Sequence, residues 1–196
     1  VTFNRPNQRN AINYHGWLDL GRMVNRLDLN DDVRVVVFTG AGDEAFSAGA
    51  DIKDFETYRN SSAAAIEYAD VFDGTLDAIE TLSKPTISMI KGFCVGGGCE
   101  LSMATDIRVA ADNGVFGVPV ARLGILVGYR EMRRMVNLVG PGHTSYILLS
   151  ARLLNAEEAL RVGLVNEVVP LDEIQEHAYR LAREMAALAP LSHARH

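Results

Sequence analysis

A chain of 196 residues with 48% hydrophobic and 22% charged side chains has the composition of a globular protein with room for a real core. Its net charge of −6 argues against a nucleic-acid-binding face, and no apolar run approaches the ~20 residues that span a bilayer. The only cysteines, Cys94 and Cys99, form neither a CxxC pair nor a zinc set, so two buried thiols in a reducing compartment are expected. There is no signal-peptide pattern. The chain opens inside a strand at Val1 and closes abruptly on APLSHARH, which suggests the ordered part of a longer protein.

VTFN (1–4) reads as the end of a strand. Residues 11–29 place Trp17, Leu20, Val24 and Leu27 on one helical face. VRVVVFTG (33–40) is a β-branched run of the kind found in strands buried on both faces. The glycine- and alanine-rich stretch AGDEAFSAGAD (41–51) reads as a loop. A helix over 62–82 carries Ile66, Ala69, Phe72, Leu76 and Ile79 on one stripe, and Pro85 introduces a strand over 86–92. Three consecutive glycines, Gly96, Gly97 and Gly98, then lead into a helix running to Thr105, followed by a strand at 107–111. GVFGVP (114–119) is short and extended. Helices follow near 129–139 and 142–150, with Gly140 and Pro141 between them. Asn155 caps a helix over 155–164 whose first turn holds Glu157 and Glu158. A short strand at 165–169 precedes a last helix over 171–188, with Ile174, Ala178, Leu181, Met185 and Leu188 on its stripe. Strands alternating with helices, without repeats or linkers, predict one α/β domain over 1–196.

Two loops stand out because each follows a buried strand, is built of small residues and leads into a helix: AFSAGADI (45–52) and CVGGGCEL (94–101). Small residues let backbone N–H groups approach a ligand, and two such donors converging on one point make an oxyanion hole. A lone glycine triplet fits a tight strand–helix turn equally well; two matched loops favour function. Other readings find less support. The GxGxxG pattern fails at Leu101, no GxxxxGK[ST] occurs, and Ser102 lacks the GxSxG context of a hydrolase. His15, His143 and His177 fall in helical stretches and His193 and His196 at the tail, with no metal-ligand set among them.

AFSAGADI, KPTISMIKGFCVGGGCELSMATDIRVAAD and LLNAEEALRVGLVNEVVP, together with NRPNQRNAIN near the start, resemble the enoyl-CoA hydratase/isomerase (crotonase) family along essentially the whole chain. The resemblance implies a crotonase-like α/β spiral of ββα units with two roughly perpendicular sheets. It implies an acyl-CoA thioester as substrate, with no metal and no separate cofactor, in a cytoplasmic homotrimer or hexamer. It further implies that the start of the first strand and a C-terminal helical trimerisation segment are missing. The motif match gives Ala48 and Gly97 as the oxyanion-hole donors and Glu100 as acid/base. Gly49, Ala50, Asp51, Ile52 and Gly96 match the stretches lining the CoA arm and acyl site, and Arg9, Asn10 and Ala11 the region near the nucleotide end. Asp51 also suits a helix N-cap, and Glu100 a first-turn partner of the helix dipole.

One position departs from the family pattern. In two-glutamate hydratases the second glutamate follows the proline of a stretch like FGVP (116–119); here that place holds Val120. Val120 puts ordinary hydration in doubt and leaves isomerisation, decarboxylation or a non-catalytic CoA-binding role open. The following segment, GILVGYREMRR (124–134), offers Tyr129 either as a pocket residue or as an ordinary helix start. The segment also offers Glu131 as a replacement acid, although Glu131, Arg130, Arg133 and Arg134 read more readily as solvated charges on a surface helix.

Overall fold

The computed structural model describes residues 1–193, so His196 lies outside the described residues. Among the described residues nine strands form two sheets. The first sheet contains β1 (Thr2–Phe3), β2 (Val36–Gly40), β4 (Thr86–Ile90), β6 (Ile107–Ala111) and β9 (Glu167–Val169) in that order, all parallel. The second contains β3 (Ala45–Ser47), β5 (Phe93–Val95), β7 (Val115–Gly117) and β8 (Leu154–Asn155), parallel except for the antiparallel β7–β8 pair. The chain lays one strand in the first sheet and the next in the second, then crosses back by a helix. The successive units β2–β3–helix, β4–β5–helix and β6–β7–helix make the ββα spiral.

The expected strands at 33–40 and 86–92 are present, each trimmed at one end, and that at 107–111 is present in full. The two loops contain more order than their composition suggests. Ala45–Ser47 is the fully buried strand β3, and Phe93–Val95 is β5. Strands of three residues, the first of them buried throughout, are too short for period-two reasoning to detect.

The helices are α1 (Tyr14–Asp28), α2 (Phe55–Tyr58), α3 (Ser62–Glu80), α4 (Gly97–Met103), α5 (Tyr129–Ser150), α6 (Ala156–Arg161), α7 (Ile174–Ala186) and α8 (Pro190–His193). Asn13 caps α1 by accepting from Gly16 N, and Trp17, Leu20 and Val24 are buried along it as the periodicity requires. In α3 the buried stripe is Tyr68, Phe72, Leu76 and Ile79, whereas Ile66 is 63% exposed because the first turns of this helix stand at a cavity mouth. Helix α5 is broken at Gly140 (φ 72, ψ 168), where Pro141 restarts it, so the two expected helices lie end to end. Asn155 and Glu158 form the reciprocal capping box of α6.

Trp17, Phe38, Phe46, Leu76, Ile90, Leu101, Phe116 and Met135 belong to the main core. A second cluster, Ile87, Met89, Val109 and Ala111 against Ile174 and Ala178, packs α7 on the first sheet. Cys94 and Cys99 are free thiols in the main core, as expected.

Candidate functional site

The loops after β3 and β5 meet backbone to backbone. Gly98 leaves no room for a side chain: a β-carbon there would stand 2.3 Å from Ser47 O. Gly49 has φ +90°, open to glycine but strained for other residues, and its missing β-carbon would lie 2.6 Å from Gly97 N. What approaches the glycine triplet so closely is therefore the other small-residue loop.

The direction of each N–H follows from its neighbours. Ile12 N donates to Gly49 O at 2.8 Å and Asp51 N donates to Ile12 O at 2.9 Å, an isolated parallel bridge centred on Ala50. The central residue of such a bridge turns its own N–H away from the partner, here away from Ile12 and toward Gly97. A β-carbon on Gly97 would lie 3.3 Å from Ala50 N. Gly97 is the first residue of α4, so its N–H has no partner within the helix. Ala48, expected to be a donor, is not free: its N–H donates to Arg9 O at 2.9 Å. The pair of backbone donors facing one another is Ala50 and Gly97. The shift of two residues arises because the chain between Ser47 and Asp51 is tied down on alternate sides by Arg9 and Ile12.

These loops floor a cavity of about 380 Å³. Ala48, Ala50, Ile52, Gly96, Gly97, Glu100 and Val120 all line it. Glu100 sits in the first turn of α4 and is buried. Burial pushes its carboxyl up to about 8, and the negative charges of Glu131 and Asp73 add to this, while Arg59 and Arg134 oppose it. Of the two opposing influences, helix N-terminus and apolar burial, burial prevails. Asp73, on α3, is raised to about 7 by burial first and then by the neighbouring Glu131 carboxyl.

Other candidates are placed differently. Tyr129 is 81% exposed at the start of α5 and does not line the cavity. The sequence suggested solvated charges at Glu131 and Arg134, yet these are 3% and 2% exposed. Arg134 reaches Asp77 at 2.6 Å and Glu80 at 2.7 Å on α3, and Arg130 and Arg133 pair with the same two carboxylates at the surface. Asp51 binds Arg5 at 2.9 Å and caps the short 3-10 turn Ile52–Asp54. Asn10 is a buried clamp whose Nδ2 donates to Ala41 O and Ala45 O. Ala11 gives its carbonyl to Arg5. Arg9 lies outside the cavity, paired with Glu44 at 2.7 Å and stacked 4.7 Å over Phe93, beside a shallow depression lined by Pro6, Gln8 and Ala48. Ser102 is buried and donates back to Cys99 O, which occupies the hydroxyl of the hydrolase reading.

Asp73 and Arg59 line the cavity without having been legible in the sequence. Nothing in local spacing separates Asp73 from Asp70 or Asp77 on the same helix. The guanidinium of Arg59 lies over the Phe55 and Tyr68 rings at 4.3 and 4.2 Å.

The family model for enoyl-CoA hydratase/isomerase matches residues 1–195. The chain is 35% identical over 192 residues to the short-chain-enoyl-CoA hydratase of Clostridium acetobutylicum, covering 98% of this chain and 73% of that protein. It is 37% identical over 189 residues to the crotonyl-CoA hydratase of Syntrophomonas wolfei, covering 96% and 72% respectively. A crystal structure of an enoyl-CoA hydratase/carnithine racemase from Magnetospirillum magneticum superposes with a TM-score of 0.96 at 37% identity, over 98% of this chain and 72% of that one. With the ββα spiral, the joined small-residue loops and a match along nearly its whole length, this chain belongs to the enoyl-CoA hydratase/isomerase family.

Proposed function

We propose that this protein is an acyl-CoA-processing enzyme that holds its substrate's thioester oxygen between the N–H groups of Ala50 and Gly97. Proton loss or gain at the carbon next to a thioester passes through an enolate, whose negative charge sits on that oxygen. Two fixed backbone donors stabilise the charge, each typically worth ~10²–10³ in rate, and the N-terminus of α4 behind Gly97 adds to the effect. Glu100, beside them in the cavity, transfers the proton. The single observation carrying this reading is the meeting of the Ala50 and Gly97 backbones next to a buried carboxyl. Small residues through the loop leave space for a thioester arm, and CoA enters as part of the substrate rather than as a separate cofactor.

Val120, a half-buried wall residue at the place of the second hydratase glutamate, favours a second reading. Loss of CO₂ from a malonyl-type thioester needs the donors but little base, and tolerates a valine there. A panel of acyl-CoAs followed by mass spectrometry distinguishes the reactions. Gain of water marks hydration, unchanged mass with a moved double bond marks isomerisation, and loss of CO₂ marks decarboxylation. If Glu100→Gln leaves every turnover unchanged while acyl-CoA still binds, the assignment of Glu100 is wrong.

The reading includes a homotrimer or a dimer of trimers. Its support on this surface is apolar: Leu126 is 94%, Tyr129 81% and Leu149 84% exposed. Light scattering at three or six times the 21.4 kDa chain mass is the expected result, and a monomer at high concentration would count against it.

A further inference from the structure

Val120 leaves the cavity short of a proton-transferring group, because addition of water across a double bond has two protons to handle. The same cavity holds another carboxyl pair. Glu131 lies in the first turn of α5, lines the cavity and is almost fully buried. Its Oε1 has no hydrogen-bond partner among the described residues. Arg134 Nη1, at 4.0 Å, is too distant to provide one, and Arg134 is engaged with Asp77 and Glu80. The other oxygen, Oε2, occupies space that a β-carbon at Gly128 would claim at 2.2 Å. Gly128 therefore keeps a place for this carboxylate. Asp73 of α3 lines the same cavity, and its carboxyl is raised to about 7 by burial first and then by the Glu131 carboxyl beside it.

We propose that the Glu131–Asp73 pair is the second proton-transfer unit of this cavity and supplies the group that Val120 cannot. Glu131 is the catalytic residue, and Asp73 is a positioning residue that fixes its carboxylate. The proposal rests on the acyl-CoA reading above. In hydration of a 2-enoyl thioester, Glu131 takes a proton from water as the water oxygen bonds to the β-carbon. The π electrons of the double bond move into the enolate held by Ala50 and Gly97. Glu100, protonated near neutrality because its carboxyl is raised to about 8, delivers a proton to the α-carbon as the carbonyl re-forms. The proton left on Glu131 returns to Glu100 through water. One O–H bond breaks, one C–O and one C–H bond form, and nothing is oxidised or reduced. Arg59, Arg130 and Arg134 face this group with Asp77. Arg130 is held by Asp77, and Arg134 gives Nε and Nη2 to Glu80 and Asp77, while its Nη1 stands 4.0 Å from Oε1 of Glu131 and offsets part of that carboxyl's charge without a hydrogen bond.

The test uses crotonyl-CoA hydration and the exchange of α-hydrogens of butyryl-CoA in D₂O. Glu131→Gln is expected to slow hydration by ~10²–10⁴-fold while exchange, the half-reaction assigned to Glu100, continues. Glu100→Gln is expected to lose both. Asp73→Asn is expected to shift the pH profile of kcat, a change that a merely structural role would not produce. Glu131→Asp, which keeps the charge on a shorter arm, should recover part of the rate and guards against a misfolded glutamine variant. Hydration by Glu131→Gln within about threefold of the unaltered protein, or equal rates for the Gln and Asp variants, overturns the proposal. So does an unaltered protein that exchanges α-hydrogens but does not hydrate. An unaltered protein that neither binds acyl-CoA nor exchanges hydrogens refutes the acyl-CoA reading itself.

Discussion

At the scale of single residues, the site depends on side chains that are missing as much as on those present. Gly98 is the sharpest case. A β-carbon there would stand 2.3 Å from Ser47 O, and the obstacle is backbone rather than a side chain that could swing away. Gly98→Ala is expected to cost about 1–3 kcal/mol through overpacking and to separate the Ala50 and Gly97 donors. Both a lowered Tm and a loss of turnover by at least ~10²-fold should follow, the latter because one displaced donor typically costs that much. Unchanged turnover would show that the donor pair does not depend on the contact between the two loops. Gly49→Ala tests the same junction from the other side, with the added strain of a φ of +90°. The sequence made the two loops visible as a pair, but Ala48, the donor expected from it, gives its N–H to Arg9 O. Composition shows that a loop is small; only the hydrogen bonds to Arg9 and Ile12, from a segment some forty positions earlier, decide which N–H is free.

At the scale of elements, the α3–α5 pairing carries the charges around the cavity. Arg134 is buried while Asp77 and Glu80 remain partly wet, so the three form a clamp between the helices. Arg134→Met removes a charge that two carboxylates share, yet both retain access to water. The expected cost is about 2 kcal/mol, below that of breaking a fully buried pair, and is measured by urea denaturation. A loss below about 0.5 kcal/mol would show the clamp to be energetically idle. On α6, Asn155→Ala should cost about 1 kcal/mol, since the side chain accepts from Glu158 N at 2.8 Å. The long elements were legible because their burial is periodic: Trp17, Leu20 and Val24 on α1 and Ile174 and Ala178 on α7 are inside, as spacing alone requires. What escaped was whatever depends on a neighbour far along the chain. Glu131 and Arg134 look like solvent-facing charges until α3 covers them. The three-residue strands β3 and β5 exist only because a second sheet forms around them.

At the scale of the whole molecule, two carboxyls, the buried Glu100 and the half-buried Asp73, couple folding to pH, and the sign follows from the direction of their shifts. Glu100 is raised from 4.5 to about 8 and Asp73 from 3.8 to about 7, so the folded state holds protons that the unfolded chain releases. Each contributes stability that is fully present below its unfolded value and lost as pH rises through its folded one. The chain should therefore be more stable at pH 5 than at pH 9, with most of the loss between pH 5 and 8. For Glu100 the shift corresponds to roughly 3–5 kcal/mol as an upper range, or about 10 °C in Tm for a chain of this size. Glu100→Gln keeps the shape and removes the titration. Its Tm should fall less steeply across this window and should exceed that of the unaltered protein at pH 9, despite the loss of activity. Calorimetric scans of both proteins between pH 5 and 9 test this directly. Parallel curves would mean that Glu100 ionises as easily in the folded chain as in the unfolded one. A base stored at the cost of stability is the signature expected of a carboxyl kept for chemistry, whereas one serving only the dipole of α4 would be stabilised in its ionised form and give the opposite slope.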